Sequence, residues 1–200
     1  GLTGKSVLIT GGSKGIGRAC ARAFAAEGCH LHLVARSSDA LASAAEQVRQ
    51  AYGVDVSTHA FDLSDSANID RLVQSDAGDV DVLVNNAGAI PGGSIETVDE
   101  TAWRTGWDLK VYGYINMTRA FLPRMRARGQ GVIVNDIGTG GEKLDYDYIA
   151  GAAGNASVMA FTRAIGSRTL YDGVRVVGVN PGPVETDRVR SVMAQRAHAQ

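Results

Sequence analysis

The sequence predicts an α/β protein: a three-layer, doubly wound parallel sheet with helices on both faces. Three observations carry that expectation. Short apolar runs alternate with helical stretches along all 200 residues, the pattern of a parallel sheet whose crossovers are helices. The run at 80–84 (VDVLV) is almost continuously apolar, as a strand buried on both faces requires. A glycine-rich turn, TGGSKGIG at 10–17, leads from the first apolar run into the first helix.

The elements follow in order. Residues 5–10 (KSVLIT) read as a strand and 16–27 as a helix. A second strand at 30–35 (HLHLVA) precedes an alanine-rich amphipathic helix at 38–52. A third strand at 54–61 ends in Asp62-Leu63-Ser64-Asp65, where Ser64 or Asp65 is placed to cap the next helix. The strand at 80–84 ends in the turn-forming Asn85-Asn86-Ala87-Gly88. Trp107, Val111, Tyr114, Ile115, Leu122 and Met125 follow a helical period within 101–125, with Pro123 expected to kink or end that helix. A fifth strand at 131–137, a helix at 149–168 rich in glycine and alanine, and a sixth strand at 174–180 complete the series, closed by Pro181-Gly182-Pro183. Nothing marks a domain boundary or a repeat, so residues 1–200 are expected to form one domain.

Composition narrows the classes of function. A net charge of -1 and a pI near 6.5 give no support to binding nucleic acid or an anionic membrane. No apolar run approaches the ~20 residues of a membrane span, and a cytoplasmic location is expected. Cys20 and Cys29 lack metal or redox spacing and read as small buried hydrophobes. His30 and His32 share one face of a strand, which suits a zinc pair, but no nearby thiolate or carboxylate completes a set. The expectation is no metal.

The glycine turn has the layout of a phosphate cradle. Its glycines let the backbone turn sharply and approach a pyrophosphate, while the unpaired N–H groups of the helix start face the anion. Gly11, Ser13, Lys14, Gly15, Ile16 and Gly17 form that candidate cradle. In a doubly wound sheet the ligand lies at the carboxyl ends of the strands, at the topological switch point. Arg36 and Ser37, Asp62 and Leu63, Asn86, Ala87 and Gly88, and the Pro181–Gly182 turn all fall there. An NAD site would usually end the second strand with an acid for the ribose hydroxyls. This chain has Ala35 followed by Arg36, whose guanidinium pairs with a 2′-phosphate, and Lys14 adds a second positive charge. NADP(H) is therefore favoured over NAD(H).

With TGGSKGIG at 10–17, NNAG at 85–88 and NPGPVETD at 180–187 in register, the chain resembles the short-chain dehydrogenase/reductase family over nearly its whole length. The resemblance implies a Rossmann-type fold, with Asp62 and Asn86-Ala87-Gly88 around the adenosine half of the cofactor and Val184 and Thr186 at the nicotinamide carboxamide. It implies a small-molecule substrate, and a homodimer or homotetramer formed through the helices at 101–125 and 149–168. It also implies a further segment leading to a seventh strand, which this sequence is expected to lack.

The family's chemistry rests on an Asn–Ser–Tyr–Lys tetrad. Those positions fall here on Lys110, Gly138, Gly151 and Asn155, and none matches. The Asn and Lys types are exchanged between the two helices. Lys110 is expected to restore a positive charge near the nicotinamide ribose, with Asn155 bonding a ribose hydroxyl. Tyr148, three residues before Gly151, would lie on a similar face about 4.5 Å lower if the helix has begun there and is a candidate proton donor, with Tyr146, Thr139 and Lys110 as others. The reading is an NADP(H)-dependent oxidoreductase for a carbonyl or secondary alcohol, with a non-standard site. A silent NADP-binding sensor or scaffold, and a lyase or isomerase on the same fold, are the alternatives.

Overall fold

The computed structural model describes residues 1–186, 189 and 190. Six parallel strands form one sheet: β1 (Ser6–Thr10), β2 (His30–Ala35), β3 (Val56–Ala60), β4 (Val82–Asn85), β5 (Gly131–Asp136) and β6 (Val174–Val179). Their spatial order is β3-β2-β1-β4-β5-β6, so the chain reverses direction of winding between β1 and β4. That crevice is the switch point of a Rossmann-type fold.

Side-chain alternation along the strands creates the two cores. Val7, Ile9, Leu31 and Leu33 face α1 (Gly15–Ala26) and α2 (Ser38–Tyr52), which offer Ala21, Ala25, Leu41, Ala44 and Val48. Leu8, Val34, Leu83 and Ile133 face the opposite way, toward α3 (Ser66–Val73) and the longer helix α5 (Gly113–Arg128) with Met117, Phe121 and Met125. A final helix, α6 (Ile149–Thr169), covers the same side near β6. Asn135 on β5 accepts from the Asn85 amide at 2.9 Å and donates to Thr162 on α6 at 2.8 Å, a buried polar chain that fixes α6 on the sheet.

The helix starts show why the segments begin where they do. Ser37, Asp65 and Asp99 each accept a backbone N–H in the first turn of α2, α3 and α4 (Glu100–Trp107), so Asp65 rather than Ser64 is the cap. The start of α1 has no such cap. Lys14 stands at its N-cap position without accepting a bond, and its first turn carries no acid.

The stretch expected to be one helix over 101–125 is built differently. After α4 the backbone widens into a π-turn over Asp108–Tyr112 before resuming as α5. Pro123 lies inside α5 and does not end it; the helix runs on to Arg128. A proline inside a helix costs ~3 kcal/mol. Burial of Phe121, Leu122 and Met125 around it, at ~1.5–3 kcal/mol for each side chain, outweighs that cost.

Candidate active site

The glycine turn meets its neighbours through Thr10, the last residue of β1. Its hydroxyl oxygen accepts the backbone N–H groups of Asn86 and Ala87 at 2.8 and 2.9 Å. The Asn86 amide in return donates to the Thr10 carbonyl at 2.7 Å. This knot locks the turn after β4 against the turn after β1. It also leaves no room for side chains. A Cβ on Gly17 would stand 2.3 Å from the Gly11 carbonyl oxygen and 2.5 Å from the Asn86 amide, and Gly11 itself holds a φ of +68°. Ser13 and Ile16 flank the opening, and Lys14 and Gly15 are exposed on its rim.

The chemistry of this pocket fits a dinucleotide. The start of α1, which follows the glycine turn, has no side-chain cap, so its N–H groups are left to an anion. Arg36 is exposed at the end of β2, beside Ser37, whose hydroxyl is used as the α2 cap. Asp62 accepts from the Ser64 N–H and hydroxyl at 3.0 and 2.7 Å. Burial alone would raise its pKa, but these bonds and the Arg36 charge together hold it below the usual aspartate value. Leu63 is buried beneath it. On the far side, Pro181 accepts from the Thr139 N–H at 3.0 Å, Gly182 and Val184 are exposed, and Thr186 lies 3.6 Å from the space above Gly15. Asp187, the last residue of the third motif, lies outside the described residues.

Of the four positions expected to hold the tetrad, Lys110, Gly138 and Asn155 lie near the end of β5, and Gly151 lies beside Tyr148. Lys110 lies in the π-turn, 8% exposed, with its stem crossing over Gly88. Its ammonium donates to the Tyr114 hydroxyl at 2.8 Å and to the Asp136 carbonyl at 2.5 Å, and Tyr114 donates to the same carbonyl at 2.8 Å. Asn155 on α6 is buried, and its amide nitrogen comes within 3.3 Å of the Cβ places of both Gly138 and Gly140. Gly138 has a φ of +118°, which a serine there would not adopt without strain.

Tyr148 precedes α6 rather than lying within it; the helix begins at Ile149. Its ring nevertheless reaches the expected place. A Cβ on Gly151 would fall 2.0 Å from the Tyr148 ring, so the tyrosine fills the volume that the glycine vacates. Tyr146 is a different case. Its hydroxyl donates to both carboxylate oxygens of Glu96 at 2.7 and 2.8 Å, which raises its pKa and commits its proton.

Asp136 is the residue that reading the sequence missed. It ends β5, with its carboxyl raised in pKa by burial against a lowering by the Lys110 charge. An acid closing the apolar run VIVN was the available signal.

A six-stranded parallel sheet with a pinned glycine turn at its switch point defines a dinucleotide-binding α/β enzyme. Residues 5–197 match the short chain dehydrogenase family. The chain is 33% identical over 199 residues to the D-beta-hydroxybutyrate dehydrogenase of Cupriavidus necator, covering 98% of this chain and 77% of that one. The L-sorbose reductase of Gluconobacter frateurii, solved with NADPH and L-sorbose, superposes with a TM-score of 0.89 at 34% identity, over 94% of this chain and 73% of that one. Levodione reductase superposes with a TM-score of 0.93 at 30% identity, over 97% and 77%. The chain belongs to the short-chain dehydrogenase family and is an oxidoreductase of that family. Among the described residues no helix is long and apolar enough to cross a membrane.

Proposed function

We propose that the protein is an NADP(H)-dependent oxidoreductase that interconverts a small-molecule carbonyl and a secondary alcohol, with Tyr148 as its proton donor. The observation that carries this reading is the Tyr148 ring lying over Gly151. Gly11, Ser13, Lys14, Gly15, Ile16 and Gly17 would hold the pyrophosphate, Arg36 and Ser37 the 2′-phosphate, and Asp62, Leu63, Asn86, Ala87 and Gly88 the adenosine half. Pro181, Gly182, Val184 and Thr186 would line the nicotinamide end. When bound, the cofactor would supply a hydride to the carbonyl carbon. Tyr148 gives its phenolic proton to the carbonyl oxygen as the C=O double bond becomes C–O, and the phenolate regains a proton from solvent.

Lys110 contributes positive charge beside the end of β5, and Asn155 an amide donor or acceptor for a ribose hydroxyl. Gly138 leaves out a side chain at the substrate end, whereas Tyr148 fills the space beside Gly151. Assembly into a homodimer or homotetramer is supported by large exposed side chains, Tyr112 in the π-turn and Leu170 and Tyr171 after α6; light scattering tests it.

The test is a titration of NADPH and NADH followed by the fluorescence of Trp103 and Trp107, then a screen of carbonyl compounds for substrate-dependent NADPH oxidation. NADPH is expected to bind at least tenfold more tightly than NADH, with the difference lost in Arg36→Asp. Equal affinity for both cofactors would overturn the NADP(H) preference. Tight binding with no oxidation of NADPH by any carbonyl would favour a silent binding protein.

A further inference from the structure

The side of the sheet beneath α3 carries a polar cluster that the oxidoreductase site does not use. His32 on β2 and His59 on β3 lie on the same sheet face, because His32 pairs with Ser57 in a parallel register and His59 is two residues further on. Asp76, in the single 3₁₀ turn Asp76–Asp79 that follows α3, reaches over both. The His32 Nδ1 and His59 Nε2 atoms stand 3.2 Å apart. Asp76 places one carboxylate oxygen 3.9 Å from the first and the other 3.6 Å from the second.

We propose that His32, His59 and Asp76 form a binding site for a divalent transition-metal ion, of the class of zinc. Tetrahedral zinc with bonds of ~2.0–2.2 Å holds its ligand atoms about 3.3 Å from one another. The two imidazole nitrogens, 3.2 Å apart, match one edge of that tetrahedron, and the Asp76 carboxylate, with one oxygen 3.9 Å from His32 and the other 3.6 Å from His59, lies within reach of a third corner. Both imidazoles are almost withdrawn from solvent, at 12% and 9% side-chain exposure, whereas Asp76 is at 62%. The fourth corner therefore faces water, which completes the coordination. Ser57 donates to Asp76 at 3.1 Å and orients the carboxylate from the second layer.

The two imidazole nitrogens and the Asp76 carboxylate converge on one point, where a single cation meets a lone pair from each ring and an oxygen of the carboxylate.

The no-metal expectation from sequence rested on His30 and His32 lacking an acidic neighbour. His30 turns instead to Asp55 at 3.3 Å. The true neighbours of His32 come from residues 59 and 76, which only strand pairing and the α3 crossover bring to it. A metal there would tie edge strand β3 to β2 and to the turn below α3, independently of the reaction.

The experiment uses tag-free, chelator-treated protein titrated with Co²⁺ and followed by its visible d–d absorption, with Zn²⁺ competition and thermal melting alongside. One equivalent is expected, with the intense bands of four-coordinate cobalt, displacement by Zn²⁺ and a raised Tm. His59→Ala and Asp76→Asn should each weaken binding at least tenfold, while His30→Ala should leave it unchanged. If His59→Ala does not fold, exposed Asp76→Asn carries the test. Absence of saturable binding, or unchanged binding in Asp76→Asn, overturns the site, as does loss of binding in His30→Ala alone.

Discussion

The ring of Tyr148 occupies the space that a side chain on Gly151 would need, its nearest ring atom only 2.0 Å from the Cβ position. The two residues are therefore alternatives: one site, one ring. Tyr148→Phe, which keeps the packing and removes the hydroxyl, is expected to lower kcat about 10²-fold or more with little change in KM. Gly151→Tyr, which puts the aromatic residue at the family position, should not raise activity, because both rings cannot fit. Steady-state kinetics on the best carbonyl substrate check both, with circular dichroism as the folding control. Full activity in Tyr148→Phe would assign the proton to another group.

Gly17→Ala should fail for a backbone reason. The added methyl meets the Gly11 carbonyl at 2.3 Å, an atom that cannot swing aside. Overpacking of this kind costs ~1–3 kcal/mol, and relief of it would open the turn that Thr10 holds closed. Urea unfolding should give a lower midpoint, and NADPH titration a lost or much weaker signal.

Lys110→Met separates charge from packing. The Met stem replaces the stretch that crosses Gly88, and Tyr114 still donates to the Asp136 carbonyl at 2.8 Å. The substitution removes two buried hydrogen bonds and the charge that opposes the rise in the Asp136 pKa, so the Tm should fall measurably while the protein still folds. Loss of a charge-assisted bond is worth ~1.5–3 kcal/mol, so NADPH affinity or kcat/KM should fall roughly 10–100-fold. If neither falls, Lys110 is a packing residue and the exchange of Lys and Asn between the helices has no functional meaning.

Asp136→Asn has a predicted pH signature. Burial raises the carboxyl's pKa in the folded state, with Lys110 opposing but not cancelling the effect. The folded protein therefore holds that proton to a higher pH than the unfolded chain does, and stability declines as pH rises through the window between the ordinary aspartate value, about 3.9, and the raised one. Asparagine removes that decline. Melting curves should show Asp136→Asn gaining stability over wild type at pH 7 and losing the advantage near pH 3.

The strands and their ends were legible in the sequence because each depends on local pattern. HLHLVA at 30–35 became β2 with the same ends, and the other strands shifted by at most two residues. What escaped was non-local or geometric. The π-turn at Lys110 is invisible to a helical period, since the apolar residues on either side of it satisfy the period separately. The helix start at Ile149 is legible, but that the ring of Tyr148, just before it, reaches over Gly151 is not. His59 and Asp76 carry no mutual signal at all, because only register and crossover place them beside His32.

The π-turn carries one more residue than an α-turn would, and that surplus acts as a phase shifter. One residue turns an α-helix by roughly 100°, so the stripe that buries Trp103 and Trp107 against Ile90 and Ala150 is rotated before the chain buries Tyr114, Met117 and Phe121. A single continuous rod thus serves two differently oriented surfaces, with Lys110 at the joint between them. Deleting one residue within Asp108–Tyr112 would straighten the helical register, and one of the two stripes would then point to solvent. The joint sets the aim of Lys110, and evolution can redirect that side chain by insertion or deletion without touching the sheet.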